Sequence, residues 1–337
     1  MNNSTFLQAF EGTNTRVPVW FMRQAGRFLP GYQKIRDRYS LNQMFKKPDL
    51  VAELTCMPIN ALGVDAAILF ADILSLPAAM GFEINFIKGE GPVIANPIET
   101  AADVRRVHDF GKLSYLSEAI KVINRTLSEN IPLIGFAGSP FTVLCYLIEG
   151  GSSVNFTKTF RFIQDDPPAF TELMKVITKN TIVYLKLQQE AGIKAFQIFD
   201  TWAGILRPSD YAHWVLSYIQ EIFSRVDLPS IYYVKNCRHL LEFMVKSKAD
   251  FVSVDHTIVL GHSKVLENSD VGVQGNLFNG LLYTDYKILE KEIHDVLVGA
   301  RHYQKYIFNL SHGIFPDVEV EKVKFIVEKV HEFKWRI

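Results

Sequence analysis

The sequence predicts an α/β protein folded as a (β/α)8 TIM barrel, a single domain over residues 1–337. Three observations point there. Eight short β-branched or aromatic runs recur along the chain, most of them followed by a longer amphipathic segment. The runs are nearly continuous in apolar residues, as parallel strands covered on both faces require. No linker, low-complexity run or charge block divides the chain. A doubly wound open sheet would normally place a Gly-rich phosphate turn after its first strand. Here Arg23-Gln24-Ala25-Gly26-Arg27 stands in that place.

In chain order, the expected strands begin with Pro18–Met22, Ala66–Phe70, Leu133–Phe136 and Ala195–Phe199. Ile231–Val234, Phe251–Val254, Val271–Gln274 and Tyr306–Leu310 complete the eight. Between them the helical period is clearest at Tyr211, Trp214, Val215, Tyr218, Ile219, Ile222 and Phe223, with Ser209 as the expected N-cap. Near the end of the chain, Asp317 is placed to cap a helix whose apolar face is Val323, Ile326, Val327, Val330 and Phe333.

Lys plus Arg number 36 and Asp plus Glu 36, so the formal net charge is zero. That excludes nucleic-acid binding through bulk positive charge and leaves room for a local basic pocket. With 48% hydrophobic and 21% charged residues, a large core can form. Cys56, Cys145 and Cys237 are too few and too scattered for a disulfide framework. Met1–Phe10 has neither the basic nor the apolar region of a signal peptide. The most apolar stretch, Gly63–Phe82, is broken by Asp65, Asp72 and Pro77, short of the ~20 residues that span a bilayer. The expectation is a soluble protein of a reducing compartment with no membrane partner.

Barrel enzymes build their sites at the carboxyl ends of strands. Those ends carry polar groups throughout: Arg23 to Arg27, Asp72, Ser139, Asp200 and Thr201, Lys235, Asp255, Asn276, and Ser311 and His312. If the first strand passes into a helical turn, Arg23 and Arg27 share a face and form an anion clamp. An isolated arginine pair at this spacing is ordinarily solvated surface; its place directly after an apolar strand is what singles it out. Asp72 lies in Ala67-Ile68-Leu69-Phe70-Ala71-Asp72-Ile73-Leu74. A carboxylate in such a setting must be paired, hydrogen-bonded or functional. His312 alone reads equally as a core or loop histidine.

The ten residues Pro18 to Arg27, with Pro30 and Tyr32, resemble the N-terminal signature of the uroporphyrinogen decarboxylase family. Gly135-Phe136-Ala137-Gly138-Ser139-Pro140-Phe141-Thr142, leading to Tyr146 and Glu149-Gly150-Gly151, resembles its second signature. Ile68 to Ile73, Phe199 to Gly204 and Asn309 to Ile314 match in order, and the resemblance spans roughly residues 6 to 333. It implies a (β/α)8 barrel, a homodimer, a cytoplasmic location and an enzyme of haem biosynthesis needing no metal or cofactor. The implied reaction removes carbon dioxide from the acetate side chains of uroporphyrinogen III to give coproporphyrinogen III. The family's functional positions carry over to Arg23, Gln24 and Arg27 in the first motif, and to Asp72, Tyr146, Thr201 and His312. Asp72, Arg23 and Arg27 are the implied catalytic set. Asp72 is expected to accept from the pyrrole N–H groups, and the arginines and His312 to bind carboxylates and assist proton transfer.

The chain departs from the family at four strand-end loops. Val234-Lys235-Asn236-Cys237-Arg238 replaces a Gly-rich turn after Thr-Lys, and Val254-Asp255-His256 replaces Leu-Asp-Trp. Phe278-Asn279 stands for Asp-Pro, and Ser311 for Gly before His312. Met22, Phe136, Phe141 and Phe199 are candidates to wall a flat macrocycle, or for the core. A rival reading, zinc-dependent methyl transfer, rests on Cys237-Arg238-His239 with His312 as third ligand. A second is a tetrapyrrole carrier without turnover.

Overall fold

The computed structural model describes residues 4–87, 91–107, 109, 111 and 113–335. Among the described residues nine strands form: β1 Ala67–Ile68, β2 Ile84–Ile87, β3 Gly91–Ile94, β4 Leu133–Gly138, β5 Ala195–Asp200, β6 Ser230–Val234, β7 Phe251–Ser253, β8 Gly272–Leu277 and β9 Tyr306–Leu310. Seven make one parallel sheet in the order β1-β4-β5-β6-β7-β8-β9. These are seven of the eight expected runs. The antiparallel pair β2-β3 was not expected from the sequence.

The first expected strand, Pro18–Met22, is reduced to a single parallel bridge between Val19 and Phe308. It still joins the two edges of the sheet. Phe308 N donates to Pro18 O (2.9 Å) and Trp20 N to Phe308 O (3.4 Å), while Asp65 N on the other side donates to Val19 O (2.8 Å). The ladder stays short for two reasons. Pro18 has no N–H to contribute, and Val19 N donates to the Asp65 carboxylate at 2.8 Å instead of to a strand.

Helices cover the outside. The longest, Pro167–Ala191, sends Gln188 to β4, where its amide exchanges both bonds with the Phe136 backbone (3.1 and 3.0 Å). Inside the ring lies a buried polar layer. Gln274 accepts from Trp20 Nε1 (2.9 Å) and donates to Gln197 Oε1 (2.9 Å) and Ser253 Oγ (2.8 Å).

Two helix expectations need correction. The segment after Ser209 is two helices, Pro208–Trp214 and Leu216–Arg225, broken at Val215 (φ −125°, ψ −46°). Pro208 at the first helical position sets the start, so Ser209 is inside the helix and Arg207 is the cap. The last helix is Val320–Glu332 with Glu319 as N-cap, while Asp317 accepts from the Tyr283 hydroxyl at 2.6 Å. Its expected face holds: Val323, Ile326, Val327 and Val330 are buried, and Phe333 closes the end. Among the described residues no helix is long and apolar enough to cross a membrane.

Candidate active site

Arg23, Lys235, Asp255, Ser311 and His312 line one cavity at the strand ends, and Asp72 lines a second. Residues 22 to 29 form turns and bends, with helix only from Pro30. Arg23 adopts φ 60°, a left-handed conformation that β-carbon-bearing residues rarely hold. Its stem is accommodated by Gly313: a Cβ there would lie 2.5 Å from Arg23 Cδ. Arg23 lines a cavity of about 310 Å³ with Lys235, Asp255, Asn279 and His312. Its charge also reaches Asp72 and Tyr146.

The helical turn that was to put Arg27 on the same face is therefore not present. Arg27 is exposed, its carbonyl accepts from Gln33 Nε2 at 2.5 Å, and its charge acts on Tyr32. Gln24 is fully buried, and its amide bridges two backbone groups: Phe21 N donates to Oε1 (3.1 Å) and Nε2 donates to Ala66 O (3.0 Å). One end of this side chain braces its own segment and the other ties it to Ala66 just before β1, so the expected substrate contact from the Gln24 side chain is not what the geometry offers.

Asp72 follows β1 and lines a second cavity of about 400 Å³, with Phe45, Lys46, Phe86 and Tyr115. Its Oδ1 accepts from Leu74 N at 2.8 Å, closing a turn on itself. Oδ2 has no hydrogen-bond partner among the described residues. Burial raises the carboxyl pKa, and the Leu74 N–H and the Arg23 charge offset that only in part. No ion pair neutralises either Asp72 or Arg23 among the described residues. The Tyr146 ring lies 5.8 Å from Trp202, and burial, with Asp72, pushes its pKa up against the Ser152 side chain and Arg23.

His312 follows β9. Gly313 N donates to its Nδ1 at 2.5 Å, which assigns the ring proton to Nε2. Burial, then Arg23 and Lys235, lower its pKa to about 4 against the pull of Asp255. At neutral pH His312 is an uncharged N–H donor. Its ring stands 6.2 Å from Tyr233, which packs edge-on to Phe199 (5.8 Å), itself edge-on to Phe136 (5.5 Å). In this run Phe136 and Tyr233 are buried in the core and Phe199 is part-buried. Met22 and Phe141, the other two candidates, are buried in the core.

Thr201, part-buried, sits above a carboxylate that sequence reasoning left unassigned. Asp200 is wholly buried, with Ser139 Oγ (2.5 Å) and Thr142 Oγ1 (2.7 Å) donating to Oδ1 and the Tyr232 hydroxyl (2.7 Å) to Oδ2. Thr142 Oγ1 in turn accepts from Trp202 N at 3.1 Å, so the network fixes the loop carrying Thr201. The signal for it was the Ser-Pro-Phe-Thr run after β4 facing a lone Asp at the end of β5.

The four loop departures gather in one place. Asn236, His256, Asn279 and Ser311 all line the cavity beside Arg23 and His312. His256 and Phe278 change together in space, their rings 4.4 Å apart. The zinc pair of the rival reading is not assembled. Cys237 is buried with its thiol pushed up to about 12, and His239 Nε2 lies 2.9 Å from Leu206 O. Among the described residues no three His, Cys, Asp or Glu side chains group as a metal set.

Comparison with known proteins gives a consistent neighbourhood. The uroporphyrinogen decarboxylase family model matches residues 1–333. Uroporphyrinogen decarboxylase of Carboxydothermus hydrogenoformans is 40% identical over 98% of this chain and 96% of its own. That of Thermodesulfovibrio yellowstonii is 43% identical over 98% of both. Among solved structures, a methyltransferase from Methanosarcina mazei superposes with a TM-score of 0.78 over 98% of both chains at 21% identity, a likeness of fold.

Proposed function

The chain belongs to the uroporphyrinogen decarboxylase family, and on that premise we propose that it decarboxylates the four acetate side chains of uroporphyrinogen III to give coproporphyrinogen III in haem biosynthesis. One observation carries the reading within the site. Asp72 presents an unpartnered carboxylate oxygen at the barrel mouth, in a setting that disfavours its charge until donors arrive.

Loss of carbon dioxide leaves an electron pair that needs a sink. A pyrrole protonated on a ring carbon is that sink. The carbon–carboxylate bond breaks and its pair neutralises the ring; the exocyclic methylene then takes a proton to become methyl while the ring carbon gives up the one it had taken, which restores the pyrrole. Asp72 accepts from the pyrrole N–H groups through Oδ2, and its negative charge opposes the ring cation. That attraction is stronger once the ring is protonated than before, which is what accelerates a reaction. The arriving N–H donors and positive charge also favour the ionised carboxylate. Arg23 binds a peripheral carboxylate, His312 adds a neutral Nε2–H, and Tyr146 and Thr201 add hydroxyls. Arg27, exposed beside the mouth, serves carboxylates at the rim. The part-buried Phe199 ring bounds the macrocycle face.

The chain works as one catalytic unit, supported by the bonding of its first segment to β9. The three free, buried cysteines support a cytoplasmic setting. Its assembly is a homodimer, and sedimentation is expected to give twice 38.4 kDa. The deciding assay supplies uroporphyrinogen anaerobically and separates oxidised products by carboxylate number. Stepwise loss of four carboxylates supports the reading, and an unchanged octacarboxylate after long incubation rejects it.

A further inference from the structure

Lys235 has no role in the account so far. It follows β6 directly, is part-buried, and lines the cavity of about 310 Å³ with Arg23 and His312. Among the described residues its ammonium has no ion pair and no hydrogen bond. The carboxylate in the same lining, Asp255, is 3% exposed and already engaged. Thr257 donates to its Oδ1 through N (2.9 Å) and Oγ1 (2.5 Å), and Cys237 N donates to Oδ2 (3.2 Å). Asn279 is likewise occupied, donating to Gly313 O (3.3 Å) and accepting from Ser311 Oγ (3.3 Å). The cavity therefore holds two permanent cations, Arg23 and Lys235, against one carboxylate, Asp255, whose oxygens are already hydrogen-bonded, so positive charge is left over for a ligand.

The turn that presents Lys235 is fixed. Asn236 holds φ 56°, and Gly204 packs so closely that a Cβ would meet Lys235 O at 2.0 Å. A positioned, unpaired lysine in a concave site is a carboxylate receptor. The substrate carries two kinds of carboxylate, on acetates that react and on propionates that stay. A cation gripping the departing carboxylate stabilises the ground state, because that charge disappears as carbon dioxide forms. A pair of permanent cations suits a carboxylate that keeps its charge throughout.

We propose that Lys235, together with Arg23, binds a propionate carboxylate of the macrocycle and so fixes which acetate is brought to Asp72. The proposal rests on the decarboxylase reading and adds a subsite to it.

The test uses coproporphyrinogen, which keeps the propionates and has no acetate. In Lys235→Met, the KM for uroporphyrinogen and the inhibition constant of coproporphyrinogen are expected to rise together, about tenfold for one charge-assisted contact. kcat falls less than KM rises, and Lys235→Arg recovers most of the affinity. Met replaces a side chain that has no polar partner in the protein, and a melt matching wild type checks the fold. Lys235→Gln provides a second neutral variant, and coproporphyrinogen affinity is readable without turnover. A raised KM with unchanged coproporphyrinogen affinity overturns the propionate assignment, since the lysine then holds an acetate. No change in either constant overturns the subsite. Failure of wild type to release any carboxylate is a different outcome and falls on the decarboxylase reading.

Discussion

Asp65 and Asp72 stand at opposite ends of the same short strand, β1, and their surroundings are opposite too. Asp65 lies at the amino end, where Arg16 Nη1 (2.9 Å) and Nη2 (2.5 Å), Val19 N (2.8 Å) and His331 Nε2 (2.9 Å) converge on it. These bonds outweigh burial and hold its pKa below the usual carboxylate range. Asp72 lies at the carboxyl end with one backbone donor, and burial raises its pKa. The first carboxylate closes the barrel at its stability face, and the second is left unsatisfied at its chemical face. Identical side chains are thus separated by their donors: what the fold supplies to Asp65, it leaves the ligand to supply to Asp72.

The comparison breaks most visibly at Asp72. Asp72→Asn keeps the shape, removes the charge and turns an N–H₂ toward donors. kcat is expected to fall on the order of a hundredfold or more. Its melting temperature is expected to hold or rise, because a charge disfavoured by burial has gone. Near-normal kcat in a stably folded Asn variant would reject the electrostatic role.

Asp65→Asn should give the converse. Removing the charge of a buried carboxylate whose partner Arg16 is 37% exposed, and which also bonds to backbone, costs about 1–3 kcal/mol, read as a lower denaturation midpoint with turnover of the folded fraction intact. A loss of kcat without loss of stability would erase the distinction between the two ends.

His312 sharpens the contrast through pH. Its folded pKa of about 4 lies below the ordinary value of 6.5, so the unfolded chain takes up the proton first. Its contribution to stability is complete above pH 6.5 and is lost as pH falls toward 4, by about 2–3 kcal/mol. Asp65 moves in the same direction at lower pH: its contribution holds above the unfolded carboxylate pKa and is lost below. Unfolding free energies measured from pH 7 to 4 on wild type and His312→Gln should therefore converge as acid is added. Parallel curves would show that the ring is not held neutral by the fold.

The smallest effect is expected at Tyr232→Phe, which removes one of three side-chain donors from Asp200. A partly unsatisfied buried carboxylate costs about 1–2 kcal/mol, visible as a lower midpoint and a looser Thr201 loop in hydrogen exchange.

Much of this architecture was legible because the strands are buried on both faces and read as apolar runs. The carboxyl ends of those runs then located Arg23, Asp72 and His312. The irregular first strand was not legible, since it depends on Val19 N choosing a carboxylate 46 positions away. The β2-β3 hairpin escaped because Gly91-Pro92 reads as a breaker and half of β2 is exposed. The helical turn that would set Arg27 on the face of Arg23 is not formed, because Arg23 takes φ 60°. Lys235 stood out only as the polar end of its strand, with no role attached, and Tyr233 carries no local signal. A lysine after a strand looks like any surface lysine until its neighbours are known to be otherwise engaged.

Closure of the ring through Pro18 and Phe308 also has a consequence in time. A ribosome adds about 5–20 residues each second, so the first segment waits on the order of tens of seconds for its partner. Until β9 emerges, the nascent sheet has two open edges, the kind of surface on which chains pair wrongly. Arg23 and His312, one near each end of the chain, meet only when that wait is over. Competence for catalysis therefore waits for the synthesis of β9.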